Sequence, residues 1–190
     1  MNYATNEDRI FSTLPTRAAH NAVIDVLFVE ESGFVEPVTV AEALQLCNID
    51  DLGQDTALIE VLITTARQQC EAFTNIGFIQ RTVTAVVNNS LGDIYLPYGP
   101  VAEVDSVEYK DGAAADYEVF GVAFKQLAKP KAEWLKVTYT AGYSDLPRDF
   151  KTAILQQVNY LDKNRGDAEK MATLSPMAKT ILKPHRRVWF

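Results

Sequence analysis

Between residues 55 and 74 the apolar side chains Leu58, Leu62, Ala66, Cys70 and Phe73 recur at spacings of four, four, four and three. That period places them on one face of a helix, and Ile59 and Ile63 widen the face into a core-facing stripe. Asp55 or Thr56 can accept the first free backbone amides, and Asn75 and Gly77 supply the stop. Just upstream, Thr39 and Glu42 stand at capping-box spacing and predict a short helix over residues 40–47, with Val40, Ala43, Leu44 and Cys47 on its buried side. Phe150, Ile154, Val158 and Leu161 predict a third helix over residues 147–165, with Pro147 at its first position and Gly166 as its stop. Residues 167–173 read as a polar linker, and Ser175-Pro176 opens a last helix over 176–182 with Met177, Ile181 and Leu182 on one side.

From residue 78 to residue 141 the helical period gives way to short runs rich in β-branched and aromatic side chains. Strands are predicted at residues 79–87, 93–96, 102–109, 117–120, 124–127 and 134–140, separated by Asn88-Asn89, Gly99-Pro100, Asp111-Gly112 and Lys129-Pro130. In the last of them Leu135, Val137 and Tyr139 alternate with Lys136, Thr138 and Thr140, as in a sheet with one wet face. Residues 1–20 show no period, whereas the run at 23–29 is short and β-branched and predicts one more strand. The expected fold class is α+β: a small bundle of about four helices with an antiparallel β-meander inserted over residues 78–141. Residues 1–37 form an N-terminal extension, residues 38–182 the main domain and residues 183–190 a tail, the two ends being flexible arms.

Composition narrows the function classes. A chain of 190 residues with 47% hydrophobic and 23% charged side chains is an ordinary globular protein, long enough to bury a core. No apolar run approaches the ~20 residues of a membrane span, so no membrane partner is expected, and the start of the chain lacks the layout of a secretory signal. Synthesis in a cytoplasm is the default, and Cys47 and Cys70 are then expected as buried free thiols. The net charge of −7 is distributed unevenly: residues 1–60 hold 2 basic and 11 acidic side chains, and after Glu169 there are 5 basic and none acidic. An acidic whole argues against tight binding of nucleic acid. The basic end suits an acidic surface on another protein or on a neighbouring copy.

Reaction chemistry is sparse. No two glycines stand at Gly-x-Gly spacing, and neither Cys-x-x-Cys nor His-Glu-x-x-His occurs. The only histidines, His20 and His185, lie near opposite ends, so a metal site or a histidine-activated nucleophile would have to be built from a terminus. The expectation is a protein that is not an enzyme, with no cofactor and no metal. The tail carries more information. Lys183, His185, Arg186, Arg187, Val188, Trp189 and Phe190 combine cations with two large aromatics, the side chains that dominate binding hot spots. Either Trp189 and Phe190 fold back over the protein's own core, or they dock on a partner.

Several motifs, each weak by itself, follow one another in a telling order. They are VTVAEALQL at residues 38–46, the long helix ending Ala66, Cys70-Glu71-Ala72-Phe73-Thr74-Asn75, and the run Leu96-Pro97, Pro100-Val101, Val104, Val107. Then come YTAGY at 139–143, Pro147 opening a helix, Asn164-Arg165 closing it, and the late LKPHR. In this order they resemble the head–tail connector, or adaptor, family of tailed bacteriophages and gene-transfer particles, over roughly residues 38–187. Two departures are the Leu44 and Leu46-Cys47 positions, where such proteins often carry Lys and Leu-Arg, and the unmatched residues 1–37.

The resemblance implies a non-enzymatic structural protein of the virion neck, made in the host cytoplasm. It implies a homo-oligomeric ring of about twelve copies below the portal vertex, with closed head-to-tail contacts. Its implied partners are the portal protein and a stopper or tail-completion protein, and DNA passes through the channel without specific binding, as an acidic lining would favour. In that reading residues 183–190 anchor the portal, and Glu60, Thr64, Arg67 and Glu71, on the polar face of the 55–74 helix, are candidate subunit contacts. Two alternatives stay open: another neck protein (a stopper or tail-completion protein), or a small cytosolic ligand-binding or regulatory domain.

Overall fold

A computed structural model describes residues 23–28, 35–47, 56–90, 93–128 and 132–187. The elements in chain order are β1 (Val23–Phe28), α1 (Val40–Cys47), α2 (Thr56–Thr74), β2 (Arg81–Ser90), β3 (Ile94–Tyr95), β4 (Val101–Tyr109), β5 (Glu118–Phe120), β6 (Gln126–Ala128), β7 (Ala132–Ala141), α3 (Arg148–Lys163), α4 (Ala168–Met171) and α5 (Pro176–Leu182). A 3-10 turn, Lys183–His185, follows α5. The chain is α+β, and it divides into two compact units: a β unit holding β1 and Gln80–Gly142, and a helical unit made of Val35–Ile79 and Tyr143–Arg187.

In the β unit every pairing is antiparallel. One sheet has the order β1-β2-β7-β4 and the other β3-β6-β5. All six strands expected between residues 78 and 141 form, and so does the N-terminal one, which pairs with β2. The order departs from a plain meander, because β7 returns to lie between β2 and β4. Alternation explains the core: Val83, Ala85 and Val87 of β2 and Leu135, Val137 and Tyr139 of β7 bury one sheet face. Ile94 and Leu127 of the smaller sheet and Leu96 join the same cluster. Tyr139 satisfies its buried hydroxyl by donating to the Pro97 carbonyl at 2.9 Å. Burial, with Tyr98 nearby, pushes its phenol well above the usual range, so it stays a neutral donor.

In the helical unit, Phe150, Ile154, Val158 and Leu161 are buried along α3 as the periodicity predicts, together with Ala153 and Gln157. Helix α3 packs on α1, α2 and α5. Gln157 donates to the Gln69 side chain (2.6 Å) and to the Thr173 carbonyl (3.1 Å) and accepts from the Ser175 amide (2.7 Å), joining α2, α3 and the entry to α5. Pro147 sits one place earlier than expected, capping α3 with extended ψ while its carbonyl accepts from the Phe150 and Lys151 amides. The supposed linker contains α4, because the Asp167 carboxylate accepts from the Lys170 amide and nucleates a turn. On α5 the buried side is Ala178 and Leu182; Met177, expected in the core, is exposed.

The Thr39 capping box forms in full. The Thr39 hydroxyl accepts from the Glu42 amide (3.2 Å), and the Glu42 carboxylate accepts from the Thr39 amide and hydroxyl (both 2.8 Å). The Thr39 amide and then its hydroxyl hold the Glu42 carboxyl below the usual carboxylate range. A depressed folded pKa stabilises the fold above the ordinary carboxylate pKa, and the contribution fades as pH falls through the folded value. Thr39→Ala is therefore expected to cost about 1 kcal/mol at neutral pH and somewhat less in strong acid, where the hydroxyl's bond to the Glu42 carboxylate weakens while the lost N-cap bond from the Glu42 amide still counts. Thermal unfolding of both proteins at the two pH values checks this; an equal deficit at both would remove the Glu42 link.

Candidate docking surfaces

The residues expected to contact partners fall into two groups, and the structure treats them differently. On α2, Glu60 is exposed and Thr64 half-buried, but Arg67 is 0% exposed and Glu71 is buried as well. The expectation that all four line a solvent-facing polar stripe is corrected for Arg67 and Glu71. The cause is Glu36, in the segment ahead of α1. Its carboxylate accepts from the Arg67 Nε (2.9 Å) and the Thr64 hydroxyl (2.9 Å), while Arg67 Nη1 donates to Glu71 (2.9 Å). Glu71 also accepts from the Phe78 amide at 2.6 Å. With its charge matched on two sides, Arg67 can leave water, and α2 turns its Arg67–Glu71 edge inward. The buried face is consequently Ile59, Leu62, Ile63, Ala66, Cys70 and Thr74, with Leu58 and Phe73 half-buried.

Glu36 had no signature in the sequence beyond its charge. Arg67 and Glu71 stand at helical ion-pair spacing, which by itself describes a solvated pair as well as a buried one. Cys70 lies in the same buried face, a free thiol whose pKa burial pushes far above the usual range, so it is chemically inert. The side chain of Cys47 lies outside the described residues. Among the described residues no group of three or more His, Cys, Asp and Glu side chains is placed to hold a metal, and no helix is long and apolar enough to cross a membrane.

The tail, as far as Arg187, is attached to the helical unit by specific contacts. The His185 ring packs on Phe150 at a centroid distance of 4.8 Å, and its Nε2 lies 3.9 Å from the Asp149 carboxylate. Arg186 places its guanidinium 5.3 Å from the centre of the Phe73 ring. The Arg187 amide donates to the Thr74 carbonyl (2.8 Å), and the Arg187 carbonyl accepts from the Asn75 side chain (2.8 Å). Asn75 is itself in the left-handed conformation (φ 56°) that ends α2. The basic segment thus completes an open helix end, where cations are favoured by the dipole. Nearby Tyr143 is half-buried, and burial raises its pKa against a smaller lowering from Arg187.

His185 is half-buried, whereas Lys183, Arg186 and Arg187 remain exposed. The outcome is intermediate between folding back and projecting: the backbone is tied down while the cationic side chains face outward. Val188, Trp189 and Phe190 lie outside the described residues, and so does the N-terminal extension apart from β1 and residues 35–37.

Sequence reasoning also missed an apolar surface on the β unit. Tyr95, Tyr117, Val119, Phe120 and Val122 are all exposed around the smaller sheet. Their signal in the sequence was weak, because a run as short as β5 does not reveal which of its faces is covered.

Comparison with known proteins adds three findings. The profile of the family described as "Head completion protein" matches residues 37–188. The fold is similar to that of a chain in the "Neck of empty GTA particle computed with C6 symmetry", at a TM-score of 0.67 and 20% identity, covering 86% of this chain and 95% of that one. It is also similar to a chain in the "Neck of native GTA particle computed with C12 symmetry", at a TM-score of 0.59 and 19% identity over the same shares. No curated protein sequence matches.

Proposed function

This chain belongs to the head completion protein family, and from that premise we propose that it is a structural protein of the virion neck, an adaptor ring below the portal vertex. The ring extends the DNA channel and forms the platform on which a stopper or the tail docks. The observation that carries this reading is the shared fold with chains from gene-transfer-agent necks, which extends over 95% of those chains. An acidic protein of net charge −7 suits a channel wall along which DNA slides without sticking.

Within this reading the C-terminal segment is the portal anchor. Tying the backbone of Arg187 to Thr74 and Asn75 fixes the point from which residues 188–190 depart. Such fixing lowers the ordering cost of docking, while Lys183, Arg186 and Arg187 supply exposed charge. Purified portal rings are the direct test. A chain ending at Arg187 and the variant Arg186→Glu/Arg187→Glu are both expected to keep the far-ultraviolet circular dichroism of the full chain. Both should lose at least ~10-fold in portal affinity, the order expected for removing hot-spot side chains. Undiminished portal binding by both proteins overturns the anchor. A full-length chain that forms no ring with portal under the electron microscope, and binds a tail component instead, replaces the adaptor reading with the stopper one.

A further inference from the structure

The β3-β6-β5 sheet has one face in the core and one that the described residues leave open. Strand register sets Phe120 of β5 and Tyr95 of β3 opposite the same residue, Gln126 of β6. The two aromatics therefore flank Gln126 on one face, and they are 52% and 54% exposed. Two residues back along the strands, Glu118 stands opposite Ala128, and Asp93 continues the β3 register to the same level. Both carboxylates are exposed. The open face thus has two rungs, one aromatic and one acidic, about 7 Å apart. The Gln126 side chain ties them together by donating to the Asp93 carboxylate at 3.2 Å.

This surface is held firmly. Ile94 and Leu127 on its reverse are buried in the core. Gly121 turns the β5–β6 hairpin with φ +93°, and an added Cβ there would meet the Phe124 carbonyl oxygen at 2.9 Å. The Val101 amide donates to the Ala123 carbonyl (2.7 Å) and the Leu96 amide to the Lys125 carbonyl (3.2 Å).

A complementary occupant carries an apolar and a basic side chain at the spacing of the two rungs. The N-terminal extension supplies one, and it already enters this unit, because β1 pairs with β2. Ahead of β1, residues 9–17 read RIFSTLPTR. Arg9 and Arg17 are the only 2 basic side chains among the first 60 residues, and no acidic one falls between Arg9 and Ile24. In an extended chain Arg9 and Phe11, two residues apart, project to the same side about 7 Å from each other. From Phe11 to Val23 the chain can span ~40 Å. That is more than the ~33 Å length of a 10-residue strand such as β2. The C-terminus is also basic and aromatic, but its Arg187 is tied to Thr74 and Asn75 in the helical unit.

We propose that residues 9–17 of the same chain lie across the open face of the β3-β6-β5 sheet, with Phe11 on Tyr95 and Phe120 and Arg9 between Asp93 and Glu118. The extension then covers the aromatic face of the free chain. A short tether holds such a segment at about millimolar effective concentration, so weak contacts keep it closed. The segment lies outside the family match, which begins at residue 37. The contact is independent of the ring reading and leaves residues 183–190 to the portal.

Hydroxyl-radical footprinting of the free chain tests it, with the exposed Met177 of the helical unit as internal standard. A chain beginning at residue 18 keeps β1, and the variant Arg9→Glu/Phe11→Ser keeps the full length. Both are expected to retain the far-ultraviolet circular dichroism of the wild type and to raise oxidation of Tyr95 and Phe120 relative to Met177 at least ~3-fold. Arg9→Glu and Glu118→Lys should each raise it about two-fold, and together restore most of the protection. Unchanged oxidation in both the shortened chain and the double variant overturns the proposal. Protection that disappears on about hundred-fold dilution assigns the cover to a second copy. Protection lost from a chain ending at Arg187 assigns it to the C-terminus. Either result overturns the proposal as well.

Discussion

Replacing Arg67 by Ala is expected to destabilise the helical unit by about 3–5 kcal/mol, the range for breaking a buried ion pair from one side. The guanidinium bridges Glu36 and Glu71, and Glu71 has almost no access to water. Without Arg67, Glu71 keeps its bond from the Phe78 amide but is left as a buried negative charge. Glu36 loses its charged partner on α2 and keeps only the bond from the Thr64 hydroxyl. Arg67→Lys should recover little, because a single ammonium cannot reproduce the fork that reaches Glu36 through Nε and Glu71 through Nη1. Denaturant unfolding of the full chain, with amide exchange followed at Phe78, reads the effect. A loss below ~1 kcal/mol, as for solvent-exposed pairs, would mean that water reaches this cluster.

The second large effect is expected at Phe150. Its ring is buried between Phe78 (4.8 Å), Tyr143 (5.7 Å) and His185 (4.8 Å), so it joins α3 to the segment after α2 and to the C-terminal turn. Phe150→Ala should cost about 3–5 kcal/mol, as other large-to-small core changes do. It should also release the support under His185. Trypsin would then cut after Arg186 or Arg187 faster than in the wild type, under conditions where the remaining helices stay folded. Unchanged cleavage at these sites, alongside the stability loss, would show that the backbone bonds of Arg187 to Thr74 and Asn75 hold the segment without the ring contact.

Both effects depend on contacts between residues far apart in the chain, and this divides what could be read in advance from what could not. The α3 stripe, the Thr39–Glu42 box and the alternation of Leu135, Val137 and Tyr139 were legible because each is a pattern within a few residues. The stop at Asn75 was legible for the same reason, since ending a helix in the left-handed conformation selects a small set of residue types. Met177 misled because a seven-residue helix makes too few turns for its apolar side to be defined by period alone. Arg67 and Glu71 misled because their spacing is that of a surface ion pair, and Glu36 lies 31 residues from Arg67.

The sequence by itself determined where the helices other than α4 and the strands lie, the α+β class, the basic end after Glu169 and the ordered motifs that resemble a connector. Local sterics, backbone capping and side-chain period decide those features without reference to the rest of the chain. Only the tertiary structure decided that β7 lies between β2 and β4, that Arg67 is enclosed by two carboxylates, that Arg187 completes the end of α2, and that Tyr95 and Phe120 share one open face. Each of these sets side by side groups that are distant in sequence. Their energies come from desolvation and from pairing across the fold, which no local window contains.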